Sequence, residues 1–294
     1  MWLGIRHGGQ TAWLLVPLLC GLFLGLVVPG SSFIEDSRVR VVSSILGWQY
    51  FLCWTVSFYP QVVLNYQRKS VQGLSLDFQF LNLIGFTSYS VYNCSLYWVH
   101  AMRQEYIEKH GHPPSIHAND VAFSLNAWIL CLISLVQCYW YGARPWNAVS
   151  GATRAFCICS GALILSCPIL LYMHADVPGL TWMSFVYVLS YIKLATTMVK
   201  YIPQITLNYT RRSTSGFSCS QVVLDLQGGL LSIAQQCMDA IVMGHCSFIT
   251  GNLAKLGLGI ASICFDSILM IQHWILYPSH EESRCSQLDT ALLV

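Results

Sequence analysis

The sequence predicts an all-α membrane protein with seven transmembrane helices, and three observations support this fold class. Only 10% of the 294 residues are charged, 55% are hydrophobic, and the mean hydropathy is +0.54, whereas a soluble globular chain would be about 25% charged. The apolar residues form long runs, which can cross a bilayer only as helices. An internal repeat relates the two halves of the chain. The net charge of +2 argues against a nucleic-acid-binding surface.

Seven runs of about 20 mostly apolar residues define the predicted spans. They occupy residues 43–63, 76–98, 120–141, 149–172, 182–203, 218–241 and 255–276. An earlier apolar stretch from Trp13 to Val28 follows Arg6 and ends at Pro29, a pattern that is typical of a signal peptide. An uncleaved eighth helix is the alternative interpretation of this stretch.

Basic residues in short loops predict the orientation, because they favour the cytosolic side of a membrane. Arg68 and Lys69 follow span 1, Arg144 follows span 3, and Arg211 and Arg212 follow span 5. These three loops are predicted to face the cytosol. The amino terminus is then luminal or external, and the carboxyl terminus is cytosolic.

The internal repeat predicts how the spans are organised. A shift of 143 residues places 59–70 over 202–213, and nine of the sixteen residues from Pro60 to Ser75 are identical to their counterparts. The copies start four spans apart, so both cross the membrane in the same direction, as in a parallel repeat. We therefore expect two parallel three-helix bundles joined by a linker helix (3+1+3). The predicted segments are a signal-like segment (1–38), a first bundle (39–98 and 120–141), a linker helix (149–172), a second bundle (182–277) and a cytosolic tail (278–294).

Each copy of the repeat has a Pro-Gln pair near the cytosolic end of its first span, namely Pro60–Gln61 and Pro203–Gln204. Proline removes a backbone donor and frees the carbonyl four residues earlier, and the glutamine amides are expected to bond such carbonyls. For either pair alone, a simple helix end at the headgroups is equally consistent with the pattern. Two pairs in register favour matched hinges.

Several predicted spans contain charged or amide side chains that need a partner, since a charge at the bilayer centre costs about 2.5–3.5 kcal/mol. Lys193 and Lys200 lie seven residues apart on one face of span 5, Asp225 lies on span 6, and Asp266 lies on span 7. Static salt bridges are one interpretation. The functional one is a zwitterionic amino acid, whose carboxylates pair with lysine and whose ammonium groups pair with aspartate. Asn82 occupies the repeat position of Asp225.

Five segments resemble the PQ-loop family and, within it, the cystinosin family of lysosomal, proton-coupled cystine exporters. They are SFYPQVVLNYQRKSVQGLSLDFQFLNLIGF (57–86), NDVAFSL (119–125), SYIKLATTMVKYIPQ (190–204), STSGFSCSQVVLDLQGG (213–229) and KLGLGIASICFDSILMIQH (255–273). The resemblance implies substrate-binding residues and proton-coupling residues. The implied substrate-binding residues are Asn82, Lys193, Lys200, Tyr201, Gln221 and Asp225, and the implied proton-coupling residue is Asp120. Asp225 and Asp266 are also candidates for proton coupling, because they are carboxylates within the membrane. Trp54 and Phe58 lie one turn apart on span 1 and are candidates to line the cavity, with ordinary helix packing as the alternative. Asn208 is a further candidate for substrate binding. The family has asparagine where this chain has Gln221, and Asp120 could equally be a helix N-cap.

The resemblance implies proton-coupled export of L-cystine from the lysosomal lumen to the cytosol by alternating access. It also implies a multi-pass lysosomal protein with a luminal amino terminus, sorting adaptors at the cytosolic tail, and no cofactor or metal. One alternative is a PQ-loop exporter of a cationic amino acid, and another is a non-transporting seven-helix receptor or sorting protein. An enzyme is not expected, because the sequence shows no metal-ligand cluster and no nucleophile-base motif.

Overall fold

The computed structural model describes residues 2–28, 36–110, 118–141, 148–173, 177–243 and 253–278, together with Pro114 and Ile116. Within these ranges every regular element is a helix, as the sequence predicts. The elements are α1 (Trp2–Val27), α2 (Ser37–Val56), α3 (Tyr59–Arg68), α4 (Leu76–Trp98), α5 (His100–His110), α6 (Ala118–Trp140), α7 (Gly151–Tyr172), α8 (Trp182–Val199), α9 (Tyr201–Arg211), α10 (Cys219–Met243), α11 (Leu253–Ile271) and a π-helical turn (Gln272–Leu276). Helix α5 was not predicted. The basic loop residue Arg144, and the predicted tail from 279 onward, lie outside the described residues.

Five of the described segments are long and apolar enough to cross a membrane. They are Ser37–Arg68, Asp120–Trp140, Gly151–Tyr172, Trp182–Arg211 and Leu256–Leu276. Helices α4 and α10, which correspond to predicted spans 2 and 6, contain 23 and 25 residues. That length suffices for a hydrocarbon core of about 30 Å, but both helices are more polar than the other five segments. Their polar positions include several candidate site residues.

The first predicted span of each repeat is a broken helix. Helix α2 ends at Val56 and α3 begins at Tyr59, so two residues separate them. Helix α8 ends at Val199 and α9 begins at Tyr201, so a single residue separates them. Val56 and Val199 precede Pro60 and Pro203 by four residues. Each break therefore begins at the residue whose carbonyl loses its donor to proline. The position of the break follows from the sequence, and movement about it stays a prediction.

The loops that follow α3 and α9 repeat the same backbone conformation. Lys69 and Arg212 have φ angles of 49° and 51°, and Gly73 and Gly216 have φ angles of 103° and 100°. Each pair is separated by the 143-residue shift found in the sequence. Glycine suits the second position because residues with a Cβ rarely adopt this left-handed region. The repeat therefore extends from residue identity to backbone geometry.

The helices of the described chain fall into two packing units. The first unit comprises α1, α2, the start of α3, α9 from Gln204, α10 and α11. The second comprises the end of α3, the helices α4 to α8 and the start of α9 up to Pro203. In the first unit α2 packs against α1 and α10, and α10 packs against α11. In the second unit α4 packs against α6 and α8. The first helix of each repeat thus pairs with the second helix of the other repeat.

Helix α1 packs along α2 through two glycines. A Cβ added to Gly21 would lie 2.6 Å from the Cα of Gln49, and one added to Gly25 would lie 2.4 Å from the Cα of Ile45. The Gln49 amide also donates a hydrogen bond to the carbonyl of Leu18 (3.0 Å). This close approach is the small-residue packing found between membrane helices. Whether the segment is cleaved or retained stays a prediction.

Candidate functional site

Both lysines of the first span in the second repeat lie against aromatic rings. The Nζ atom of Lys193 is 3.8 Å from the ring centroid of Phe86. The Nζ atom of Lys200 is 4.5 Å from the ring centroid of Tyr201 and 5.8 Å from that of Phe78. Each such contact is worth about 0.5–2 kcal/mol, depending on how far the cation is desolvated. The rings therefore offset part of the cost of a charge at membrane depth without neutralising it.

Asn82 lies on α4 one helical turn from both Phe78 and Phe86, so it sits between the rings that hold the two lysines. Only 4% of its surface is exposed. Its Oδ1 atom has no hydrogen-bond partner among the described residues. A buried carbonyl oxygen without a donor is costly, and it is suited to accept a bond from an ammonium group or a water molecule.

A glycine allows α4 and α8 to approach each other at this level. A Cβ added to Gly85 would lie 2.4 Å from Oγ1 of Thr196. The repeat counterpart of Gly85 is Gly228 on α10, where an added Cβ would lie 2.4 Å from Cδ1 of Trp54. The same close contact is therefore built once in each packing unit.

Trp54 is held against α10 within one turn of Asp225. Its Nε1 donates to the backbone carbonyl of Asp225 (3.2 Å), and its indole covers Gly228. The Asp225 side chain is half-buried. The sequence indicated that Trp54 and Phe58 lie one turn apart on a single helix, but Phe58 lies in the break between α2 and α3. The pairing of Trp54 with Asp225 was not predicted.

The other two candidate proton sites, Asp266 and Asp120, and the candidate binding residue Gln221 lie on three different helices. Asp266 is buried on α11, with 1% of its surface exposed. Asp120 is the third residue of α6, and its backbone carbonyl accepts a bond from Nδ2 of Asn93 (3.3 Å). Asp120 thus lies inside the first turn of the helix, where the helix dipole stabilises a negative charge. An N-cap residue would instead precede the helix. Gln221 is half-buried in the first turn of α10.

The glutamines of the two Pro-Gln pairs cross between the repeats. Nε2 of Gln61 donates to the carbonyl of Gly216 (3.1 Å), and its Oε1 accepts from the backbone N–H of Ser218 (2.7 Å). Nε2 of Gln204 donates to the carbonyl of Gly73 (3.0 Å). The sequence predicted bonds to carbonyls freed in their own helices, whereas these bonds reach the loop of the other repeat. Sequence alone could not show this, because the loops are remote along the chain.

Asn208 belongs to a buried amide network near the end of α9. Its Nδ2 donates to Oε1 of Gln272 (3.1 Å), and its Oδ1 accepts from Nε2 of Gln204 (2.9 Å). A similar bond joins Asn65 to Gln137 in the first repeat (3.0 Å). Both ends of the Asn208 amide are therefore bonded within the protein. Direct substrate contact by Asn208 would require one of these bonds to open.

The predicted site residues thus form two groups, one in each packing unit. Asn82 lies on α4 between Phe78 and Phe86, whose rings contact Lys200 and Lys193, and Trp54 of α2 lies beside Asp225 of α10. The ring-bearing residues Phe78 and Phe86 were missed, although their spacing about Asn82 on one helix face is visible in the sequence. In the part of the chain that the structure describes, no group of three or more His, Cys, Asp or Glu side chains is placed to hold a metal ion.

Comparison with known proteins identifies both copies of the repeat. A family model named PQ loop repeat matches residues 42–101 and 185–240. The chain is 40% identical over 242 residues to the cystinosin homolog of Dictyostelium discoideum, covering 82% of this chain and 83% of that protein. It is 42% identical over 245 residues to cystinosin of Bos taurus, covering 83% of this chain and 65% of the bovine protein, which is less than two thirds of that length. It is also 27% identical over 259 residues to the cystine transporter of Saccharomyces cerevisiae, covering 84% of this chain and 98% of that protein.

Proposed function

Since the chain belongs to the cystinosin family of PQ-loop proteins, we propose that it transports L-cystine across a membrane. The observation that carries the proposal is a pair of lysines, Lys193 on α8 and Lys200 directly after it, held against aromatic rings on both sides of Asn82. Two fixed cations with an unpaired amide oxygen between them suit a ligand with two carboxylates and two ammonium groups. Cystine is two amino-acid zwitterions joined by a disulfide.

The spacing of the lysines supports this assignment. Lys193 and Lys200 are separated by seven residues, which is about 10 Å along a helix axis. The Cα atoms joined by a disulfide are typically about 5.5–6 Å apart, and each carboxylate extends beyond its Cα. One carboxylate can therefore pair with each lysine.

The other proposed binding residues complete the recognition of the zwitterion. In the second packing unit Asn82 can accept a hydrogen bond from an ammonium group, and in the first unit Asp225 offers a carboxylate for such a group. Trp54 and Phe58 contact the apolar disulfide segment, and Tyr201, Asn208 and Gln221 provide further polar contacts. The close packing of Trp54 on Gly228 supports a fixed position for the indole beside Asp225.

We also propose that transport is coupled to protons and proceeds by alternating access. A carboxylate that faces an acidic lumen and then a neutral cytosol can take up a proton on the first side and release it on the second. Asp120, Asp225 and Asp266 are the proposed carriers of the proton. The broken helices at Pro60 and Pro203 support hinge motion, because the missing donor lowers the resistance of the helix to bending there.

The proposed membrane arrangement has seven spans in a 3+1+3 order, with a luminal amino terminus and a cytosolic carboxyl terminus. The basic loops and the two matched repeats support it. Lysosomal location and sorting adaptors at the tail are inferred from kinship. The full proposal is export of L-cystine from the lysosomal lumen to the cytosol.

Uptake of radiolabelled substrate tests this function directly. With the protein at the plasma membrane of cells, the luminal face is exposed to the medium, so export from the lumen becomes uptake. We expect cystine uptake that rises as the medium is acidified, with no uptake of glucose. Cells that express Lys193→Ala are the matched control for background flux, and wild-type cells that bind cystine without accumulating it would instead support a receptor.

A cationic amino acid is the second candidate substrate, and one observation favours it. Gln221 stands where the family has asparagine, and the longer side chain reshapes its part of the site. Two lysine ammonium groups oppose this candidate, because like charges in a low-dielectric site repel strongly. Arginine in the same uptake experiment separates the two substrates.

A further inference from the structure

A row of buried polar side chains on α10 lies apart from the proposed substrate-binding residues. Ser232 has no exposed surface and Gln236 has 5% exposed. Oγ of Ser232 and both amide atoms of Gln236 have no hydrogen-bond partner among the described residues. The two residues are four apart, so their side chains are neighbours on one helix face.

Three unbonded polar atoms are expensive at membrane depth. Each buried polar group without a partner costs about 1–3 kcal/mol in protein mutational data, and hydrocarbon offers no replacement. Apolar residues of similar volume would avoid this cost. Buried water is found where about three polar groups converge, and Ser232 and Gln236 offer one hydroxyl, one carbonyl and one amide N–H₂ within one turn. The row has the chemistry of a water-binding site.

The row continues to a carboxylate at each end within the first packing unit. Asp239, three residues beyond Gln236, accepts a hydrogen bond from Oγ of Ser43 on α2 (2.9 Å). In the other direction Gly229 lies against α11, where a Cβ added to it would be 3.1 Å from Cβ of Ser262. Asp266 is one turn beyond Ser262 on α11 and is 1% exposed.

Ser232 is one turn from Gly229, and Gly229 contacts Ser262, so the polar positions of α10 can be followed onto α11. Their order is Asp239, Gln236, Ser232, Ser262 and Asp266. In the proposed orientation Asp239 is near the lumen and Asp266 is deeper in the membrane.

The charged groups on the surrounding helices are compatible with proton movement from Asp239 to Asp266. Besides Asp239 and Asp266, α10 contributes Asp225, and the first turn of α2 contributes Arg38 and Arg40. Helix α1 contributes no charged residue from 13 to 27. Besides the two arginines of α2, α11 carries Lys255 near its start. In the proposed orientation these cations lie at the luminal ends of their helices, and the acidic groups Asp239 and Asp266 lie at the ends of the row.

We propose that Ser232 and Gln236 hold ordered water that passes protons from the luminal end of α10 to Asp266. This inference rests on the proposed proton coupling. Each water accepts one proton and releases another to its neighbour, and the Asp266 carboxylate takes up the last one, so no co-reactant is needed. The Gln236 amide orients the water by donating and accepting and does not titrate.

Two substitutions test the relay in proteoliposomes. Gln236→Met and Ser232→Ala remove the water-binding groups, and both should fold because they also remove unbonded buried polar atoms. The first measurement is the proton-coupled current at saturating cystine. The second is cystine–cystine counterflow at equal pH, which needs no net proton movement. Cys237→Ala is the control, since Cys237 is next to Gln236 on α10 and its side chain is exposed.

We expect both variants to lose most of the coupled current while counterflow is retained, and the control to keep the wild-type ratio of the two. Equal loss of current and counterflow, or full retention of both, would overturn the relay. A wild-type protein that transports cystine without protons would refute the coupling proposal and the relay together. A high-resolution density map tests the water site independently of transport. Ordered water beside Ser232 and Gln236 is expected, and a site without water would overturn the proposal.

Discussion

Replacing Gln61 by leucine should destabilise the protein through two lost bonds to the other repeat. Gln61 is 2% exposed, and its amide bonds the carbonyl of Gly216 (3.1 Å) and the N–H of Ser218 (2.7 Å). Leucine has a similar volume but satisfies neither group, and a buried unsatisfied group costs about 1–3 kcal/mol. The expected loss in the free energy of unfolding is therefore about 2–6 kcal/mol.

Thermal unfolding of the purified protein, followed with a thiol-reactive dye, measures this loss. A change of 1 kcal/mol shifts the Tm of a 150–250-residue domain by about 2–4 °C, so Gln61→Leu should lower Tm by about 4 °C or more. Gln67→Leu is the matched control, because Gln67 is on the same helix and exposed. A Gln61→Leu protein that unfolds at the temperature of this control would refute the stabilising role of the crossed bonds.

Three further predictions follow from the site. Lys200→Ala should weaken cystine uptake by removing a carboxylate partner, without reducing membrane insertion; unchanged uptake with normal surface expression would mean that Lys200 is only structural. Asp225→Asn should stop net transport because it imitates one protonation state, and a variant that keeps full pH-dependent uptake would exclude Asp225 from coupling. Gly228→Leu should lower Tm and uptake together because an added Cβ would lie 2.4 Å from Cδ1 of Trp54, whereas Gly161→Ala, with nothing within 4 Å of the added Cβ, should be tolerated.

Much of the helical framework could be predicted from the sequence, because long apolar runs and the proline positions act locally. The breaks before Pro60 and Pro203 fall where the missing donor requires them. The matched loops at Gly73 and Gly216 follow from the sequence repeat. Helix α5 was missed because it carries no apolar run of membrane length.

The packing partners could not be predicted in the same way. Hydropathy gives the presence of each helix, but the pairing of α2 with α10 and of α4 with α8 depends on close contacts at Gly228 and Gly85. These glycines are unremarkable in a chain that contains 21 of them. The crossed glutamine bonds depend on the same pairing and were missed for the same reason.

In the candidate site, the sequence shows which buried side chains need a partner but does not show every partner that the fold provides. A buried lysine requires compensation, and its charge in the sequence points to aspartate or substrate as the partner. The structure places Lys193 on Phe86 and Lys200 on Tyr201 and Phe78. Ring partners are harder to recognise in sequence, because aromatic residues are common in membrane helices and carry no charge that demands an explanation.

Simultaneous recording of current and cystine flux tests the central proposal most directly. Zwitterionic cystine carries no net charge, so coupled transport must move positive charge toward the cytosol with each substrate, in proportion to tracer flux and increasing with luminal acidity. Asp225→Asn should abolish this current, and Asp266→Asn should reduce its pH dependence. Cystine flux without current, or a current that does not depend on cystine, would contradict proton-coupled cystine transport by this protein.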